Sequence, residues 1–420
     1  MRLKALLVLL SVTAAVIVSP PAYADPVNWA NVYEYALYPT FSLSFAGGEG
    51  IIADKSGNIW LGAQDTRAVY GSPRAALVKI DPRANRLYYW YLTGLQQVGA
   101  LAYNRATNDI WIADAVGAKL CKFNTATRRY TVYDLADFMT HGSMHDCCSI
   151  ALDRDGILYL ALFDDDEIAI FDPSELEITN IPVPEETEDD SPYGIAVSSD
   201  GADIWYTAYT ANNAFVHVDL SEPGTATFTE FALGGSVPGD PRCILLDEGP
   251  SPAQVYFVEA HHGGNVGCYI VGMDSPLDEF QLAVRNSYGI GISEASGTLW
   301  VSEPGDNVGP CVGDNCMARL STPTAEPLAF TTTSGDSDAP DPADVDAPAV
   351  SILKTRGPYS IRPQWLAVES EEYATEDTWA TLTADQSLGA VAVRKVTGNT
   401  EGWGLGYDTE RVIRVVPAID

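Results

Sequence analysis

Cationic side chains are scarce in this chain. Its 420 residues hold 24 Lys and Arg against 57 Asp and Glu, a formal net charge of −33. A surface of that sign repels nucleic acid, anionic lipid and polyanionic substrates by the Coulomb term that draws basic proteins to them. No Lys/Arg cluster offers a local exception. The bland role of such charge is solubility in a salty or mildly acidic exterior. Long apolar runs are also missing: past the N-terminal leader, no stretch is long and apolar enough to span a bilayer. The seven cysteines include no CxxC pair and no zinc-site spacing. Histidine is limited to five residues, so imidazole chemistry has few candidates.

What the chain does have is a repeat. Each copy starts with an apolar run, turns through Asp, Ser, Asn or Gly, and re-enters an apolar run ending in an aromatic residue. The copies read GIIADKSGNIW (50–60), GALAYNRATNDIW (99–111), SIALDRDGILY (149–159), YGIAVSSDGADIW (193–205), CILLDEGPSPAQVYF (243–257) and YGIGISEASGTLW (288–300). A looser copy is WLAVESEEYATEDTW (365–379). The landmark aromatics Trp60, Trp111, Tyr159, Trp205, Tyr256 and Trp300 stand 44 to 51 residues apart, and Trp379 follows after 79. Second halves such as LVKIDPRANRLYYW (77–90) and FVHVDLSEPGTATFTEF (215–231) read as alternating strands around an Asp or Asn turn. Two hairpins per repeat make a four-stranded antiparallel blade. A period of 40 to 50 residues built from short strands is the signature of a β-propeller. The sequence therefore predicts an all-β, seven-bladed propeller, with six blades plus a separate C-terminal piece as the alternative.

The ends of the chain predict closure. Residues 31–43 resemble an outer strand that precedes the first complete repeat, while 378–396 supplies inner strands at the other end. Pairing the N-terminal strand into the last blade satisfies backbone groups that an open ring leaves exposed. Before that strand, Arg2 and Lys4 precede an apolar run from Ala5 to Val18, and Ala22-Tyr23-Ala24 is a cleavage pattern. This predicts a signal peptide over 1–24 and a secreted or periplasmic protein, a retained anchor being the alternative. Blades one to six then occupy 25–330, an acidic Pro/Asp-rich linker 331–350 and the last blade 351–420. The expected state is a monomer with no membrane span once the leader is removed.

Cysteines in an exported chain suggest disulfides. Cys311 and Cys316 close a short loop, Cys243 and Cys268 lie in one repeat, and Cys121 could meet Cys147 or Cys148.

In a propeller, the loops before the first strand and after the second strand of each blade open on one face. Candidates before the first strand are Cys148 (after His145), Tyr193, Arg242 and Tyr288; those after the second are Gln64, Asp114, Glu259 and Glu303. The densest cluster is Glu259-Ala260-His261-His262. Residues i and i+2 of a strand share a side, so Glu259 and His261 would pair a cation-holding carboxylate with an imidazole that titrates near neutrality. His217, inside FVHVDL, reads as a satisfied strand residue.

The segments GIAVSSDGADIWYT, VYFVEAHHGGNVG and YGIGISEASGTLWVSE resemble the blades of the streptogramin B lyases. That resemblance covers most of 30–320. It implies a seven-bladed propeller that opens a cyclic depsipeptide by elimination, with Mg²⁺ and a Glu-x-His motif. Carried over, the motif falls on Glu259 as metal ligand and His261 as general base, with Glu303 as a second acidic ligand and His145 as a second histidine. Tyr193, Tyr288, Arg242 and His262 would contact a small-molecule or peptide ligand at the channel mouth. Where the family often has His before the first strand, this chain has Cys148, Tyr193, Arg242 and Tyr288. Two further readings stand beside the lyase. One is a non-catalytic ligand- or protein-binding propeller; the other is a Ca²⁺-dependent lactonase-like hydrolase using Asn212, Asn265 and Glu303.

Overall fold

A computed structural model describes residues 30–36, 41–43, 50–65, 74–84, 86–114, 116–136, 147–184, 191–208, 214–222, 224–232, 241–259, 265–272, 278–281, 289–293, 298–303, 316–321, 350–354, 372–373, 388–396, 399–406 and 411–417. Its regular elements are all strands, numbered β1 to β30 in chain order.

One repeat shows how the sequence makes a sheet. Strands β7 (Val98–Asn104), β8 (Asp109–Asp114), β9 (Lys119–Asn124) and β10 (Arg129–Asp134) form an antiparallel sheet in that order. All of β8 is buried, as expected of a strand covered on both faces, whereas β10 carries no fully buried residue. The turns are closed by side chains. Asn104 Oδ1 accepts the amides of Ala106 and Thr107, and Asn124 Oδ1 those of Ala126 and Thr127. Short polar side chains bonding the backbone two and three residues ahead favour turns over continued strand. In the first repeat Asp54 takes the amides of Ser56 and Asn58, and its other oxygen accepts the Trp60 indole N–H at 2.8 Å. The repeat's acid and its landmark aromatic are thus bonded to each other.

The described strands form seven antiparallel sheets. Their first strands are β3 (Ile51–Ala53), β7, β11 (Cys147–Leu152), β15 (Pro192–Val197), β19 (Pro241–Asp247), β23 (Ile290–Ser293) and β28 (Leu388–Val396). Each touches the next in this order, and β28 touches β3. Opposite the landmarks on the neighbouring strand stand Ile52, Ala102, Ala151, Ala196, Leu245, Gly291 and Ala392. The residue before each of these is aliphatic and buried: Ile51, Leu101, Ile150, Ile195, Ile244, Ile290 and Val391. All seven sheets therefore place an aliphatic side chain at one level.

The N-terminal strand β1 (Ala30–Ala36) pairs antiparallel with β30 (Arg411–Pro417), from Ala30 opposite Pro417 to Ala36 opposite Arg411. It completes the sheet of β28, β29 (Asn399–Gly406) and β30.

The last repeat differs from the sequence reading. Its landmark is the fully buried Trp403, 103 residues after Trp300, and its hairpin is β28 with β29. Trp379 lies outside the described residues. The alternation GAVAVRKV (389–396) carries this strand, and the sequence TGNTEG (397–402) before its landmark lacks the Asp of the other copies. Residues 350–354 form β26, which pairs with β25 (Cys316–Ser321) in the preceding sheet and not with the last one.

Candidate functional site

A β-bulge at the start of the inner strands builds the site. Register shifts between Val98 and Leu101, Cys147 and Ile150, Pro192 and Ile195, Pro241 and Ile244, and Leu388 and Val391. A bulge leaves residues unpaired and re-aims their side chains. The first bulge residue is Tyr193 in β15 and Arg242 in β19, so two predicted ligand-contact residues share one structural position. Opposite the start of β19, Pro241 pairs with Glu259, the last residue of β20 (Gln254–Glu259). Glu259 is 3% exposed. Tyr193, Arg242 and Glu259 are thus brought to one end of neighbouring sheets.

Aromatic and backbone contacts hold this end. The Tyr193 ring meets Phe163 edge-on at 6.2 Å, and the Arg242 guanidinium carbon lies 5.0 Å from the Tyr193 ring centre. That is within cation–π range. Beneath them Thr207, in β16 (Asp203–Ala208) and wholly buried, accepts the Gly194 amide at 2.8 Å and donates to the Arg242 carbonyl at 2.6 Å. The two bulges are therefore clamped by one hydroxyl. Gly194 is required here, since a Cβ would stand 2.4 Å from the Arg242 carbonyl oxygen.

Other candidates have structural roles. Asp114, at the same register position as Glu259, accepts the amides of Gln96, Gln97 and Val116 and so fastens the loop before β7. The Gln64 side chain donates to the Gln96 carbonyl in that loop. His217 stacks on Trp205 at 4.0 Å with Nε2 2.7 Å from Asp203, in agreement with its reading as a satisfied strand residue.

Glu303 ends β24 (Thr298–Glu303), three residues after its landmark as Glu259 is after Tyr256; its side chain is not described. His141, His145, His261, His262, Asn212 and Tyr288 lie outside the described residues. Among the described residues, no three His, Cys, Asp or Glu side chains gather as a metal set.

The cysteine reading is corrected in part. Cys243 and Cys268 are buried thiols, not a disulfide. They lie on β19 and β21 (Asn265–Ile270), with β20 between. Two inter-strand steps of about 4.8 Å exceed the roughly 7 Å a disulfide spans. Cys121 is also a buried thiol; burial first, then the nearby Asp114 charge, push it up to about 12, so it is no nucleophile at neutral pH. Cys311 lies outside the described residues, and the Cys316 side chain is not described.

Sequence reading missed Thr207 and Phe163. The available signal was a Thr two residues after the landmark, where other copies have Ala113, Ala161 and Val258.

A family model described as "SMP-30/Gluconolactonase/LRE-like region" matches residues 49–191, less than half of the chain. No curated protein sequence matches it. Among solved structures, virginiamycin B lyase from Staphylococcus aureus aligns with a TM-score of 0.57 at 15% identity, over 92% of this chain and 99% of that one. A catalytically inactive form of that lyase with quinupristin aligns equally. Hydrazine synthase of Kuenenia stuttgartiensis (0.56, 12%, over 92% and 100%) and the Cps50 (Swd1) β-propeller domain from Myceliophteria thermophila (0.54, 11%, over 90% and 99%) align nearly as well. At such identities these likenesses establish a propeller fold, including the resemblance to the lyase propeller drawn from the sequence.

Proposed function

We propose that this chain is an exported seven-bladed propeller, closed by β1 in its last blade, that binds a small ester-containing molecule or cyclic depsipeptide and opens it by β-elimination. The observation that carries the reading is the convergence of Tyr193, Arg242 and the buried Glu259 at one end of adjacent sheets, the place where a Glu-x-His motif begins. The fold shared with virginiamycin B lyase supports it. Glu259 and Glu303 end equivalent strands of successive sheets. Hard carboxylate oxygens suit Mg²⁺, or Ca²⁺ as the alternative; these two residues would hold the ion, which when bound polarises a carbonyl as a Lewis acid. His261 takes a proton from the α-carbon, the carbon next to the β-carbon that bears the ester oxygen. The electron pair of that C–H bond forms the new double bond, and the bond from the β-carbon to the ester oxygen breaks, releasing a carboxylate. Arg242 and Tyr193 orient the ligand.

A non-catalytic binding propeller is the second reading, since proteins as differently named as hydrazine synthase and the Cps50 domain share the fold and the fold alone does not carry a reaction. Calorimetric titration with Mg²⁺ and turnover of a streptogramin B separate the two. The lyase reading expects saturable Mg²⁺ binding, loss of turnover in His261→Ala with metal binding retained, and weakened metal affinity in Glu259→Ala. No metal binding and no turnover would sink it.

A further inference from the structure

The face opposite the candidate site is built from turns. The first and third strands of an antiparallel sheet run the same way, so the turns that follow them lie at one end and the site at the other. Contacts carry these turns from sheet to sheet. A Cβ on Gly57 would stand 2.8 Å from Arg394 Nε, the Tyr103 hydroxyl bonds the Lys55 backbone, and Gly156 stands beside Asn104. The Arg154 amide donates to the Ser199 carbonyl at 3.1 Å, and the Ser199 amide to Glu248 at 3.0 Å. One continuous surface thus runs from the sheet of β28 through those of β3, β7, β11 and β15 to that of β19.

Charge on this surface is divided. At the turns of the β3 and β7 sheets, Lys55, Arg83, Arg86, Arg105, Arg128 and Arg129 are exposed, and Lys395 is exposed near the end of β28. The acids among them are withdrawn: Asp54 and Asp81 are half-buried and accept turn amides, and Asp109 is buried. The turns of the β15 and β19 sheets expose Asp200, Glu222 and Glu248, with no exposed cation among the described residues there. Between the halves, the β11 sheet exposes Arg154 beside Asp155. Its other turn carries Leu176, 64% exposed and the one exposed large hydrophobic side chain among the described residues. Leu176 also has a φ of 59°, a conformation that bulky residues rarely take. No run of cations announces the division, because each turn supplies one or two. The totals do: residues 50–136 hold 11 Lys and Arg with 6 Asp and Glu, and residues 147–232 hold 1 and 19.

We infer that this face pairs with the same face of a second copy. A two-fold axis lying across the face, through the β11 sheet, lays the cationic half of each copy on the acidic half of the other. Such an isologous contact closes as a dimer. Turn for turn, Arg105 then opposes Asp200 of the other copy, Arg128 opposes Glu222, and Lys55 opposes Glu248. Leu176 falls by the axis and meets its own counterpart, while Arg154 and Asp155 exchange across it. The acidic excess elsewhere opposes association only weakly, since charges more than about 8–10 Å apart are largely screened at physiological salt. A polyanion would use the cationic half alone and would leave Leu176 without a role. The monomer expected from the sequence becomes a pair, with both candidate sites on its outer faces. This inference does not depend on the reaction proposed above.

Sedimentation of the full chain tests it. Dimers should form at about 0.1 M ionic strength and weaken about tenfold or more near 1 M, where the screening length falls to about 3 Å. Lys55→Glu with Arg128→Glu, and separately Glu222→Lys with Glu248→Lys, should each weaken the dimer about a hundredfold, because like charges then face each other. Mixing the two variants should restore dimers, since their altered halves complement each other. Leu176→Asn suits the positive φ, so it should keep the unfolding temperature and still weaken the dimer about tenfold. If a double variant fails to fold, the wild-type salt titration and Leu176→Asn still decide. A monomer at every salt and at the highest soluble concentration overturns the inference. So does a dimer indifferent to salt, to both charge reversals and to Leu176→Asn. A monomer held by dextran sulfate and released by Lys55→Glu with Arg128→Glu overturns it too, and assigns the cationic half to a polyanion.

Discussion

At the scale of single residues, Thr207 shows how one polar atom organises two sheets. Its hydroxyl joins the Gly194 amide to the Arg242 carbonyl in a fully buried place. Thr207→Val removes that hydroxyl and leaves both backbone groups seeking partners, a cost of about 1–3 kcal/mol. Urea unfolding should register that loss, and Thr207→Ser should recover most of it. Glu401 is the other decisive residue. It accepts from Arg394 Nη1 at 2.7 Å and from Arg414 Nη2 at 2.6 Å. Burial pushes its carboxyl up, but the bonds and charges of Arg414 and Arg394 outweigh this and leave it below the ordinary carboxylate range. The unfolded chain has the ordinary value of about 4.3. Its contribution to stability is therefore complete above that pH and is lost as pH falls through the lower folded value. Glu401→Gln should cost about 3 kcal/mol at neutral pH by leaving the buried Arg394 and the partly buried Arg414 short of a charge. It should also flatten the acid limb of the stability curve, both read by denaturant titration across pH 2 to 7.

At the scale of the strand, pairing exposes a rule that the sequence contained but the repeat alignment did not use. Across from the landmark tryptophans, on the third strand of each sheet, stand Lys79, Lys122, His217, Arg319 and Arg414. Across from the two landmark tyrosines stand Ile170 and Cys268. Lys79, Lys122 and Arg414 lie 5.7, 5.4 and 5.5 Å from their indole rings, so cations are kept where an indole face can hold them. Lys122, His217 and Arg414 also meet an acid two residues before the tryptophan: Asp109, Asp203 and Glu401. Repeat copies were legible because landmark and turn residues lie close in sequence. The true last copy was missed because the residues before its landmark lack the Asp and follow a long insertion. Strand β1 carries its own prediction. Deleting residues 30–36 strips β30 of its partner and should lower the midpoint of the whole unfolding transition by calorimetry, not merely add a small early phase.

At the scale of the whole molecule, the order of the inner strands was readable from the period alone, since consecutive repeats pack consecutively. The site was readable only in part. Tyr193, Arg242 and Glu259 follow from repeat register, because register decides which end of a strand a residue occupies. Their mutual arrangement does not, because it depends on a two-residue bulge and on Thr207, neither of which has a period. The rejected Cys243–Cys268 bridge failed for a related reason: closeness in one repeat says nothing of the strand lying between.

The pairing of β1 with β30 also has a consequence in time. Ala36 meets Arg411 only after some 375 intervening residues have been made. At about 5–20 residues per second, the first strand waits roughly 20 to 75 s for its partner. Over that interval its backbone edge is open to any other strand in reach, including the same strand of a second nascent chain. The nascent first strand is thus an open edge for as long as the rest of the chain is being made, and a holdase that shields it would act over that interval.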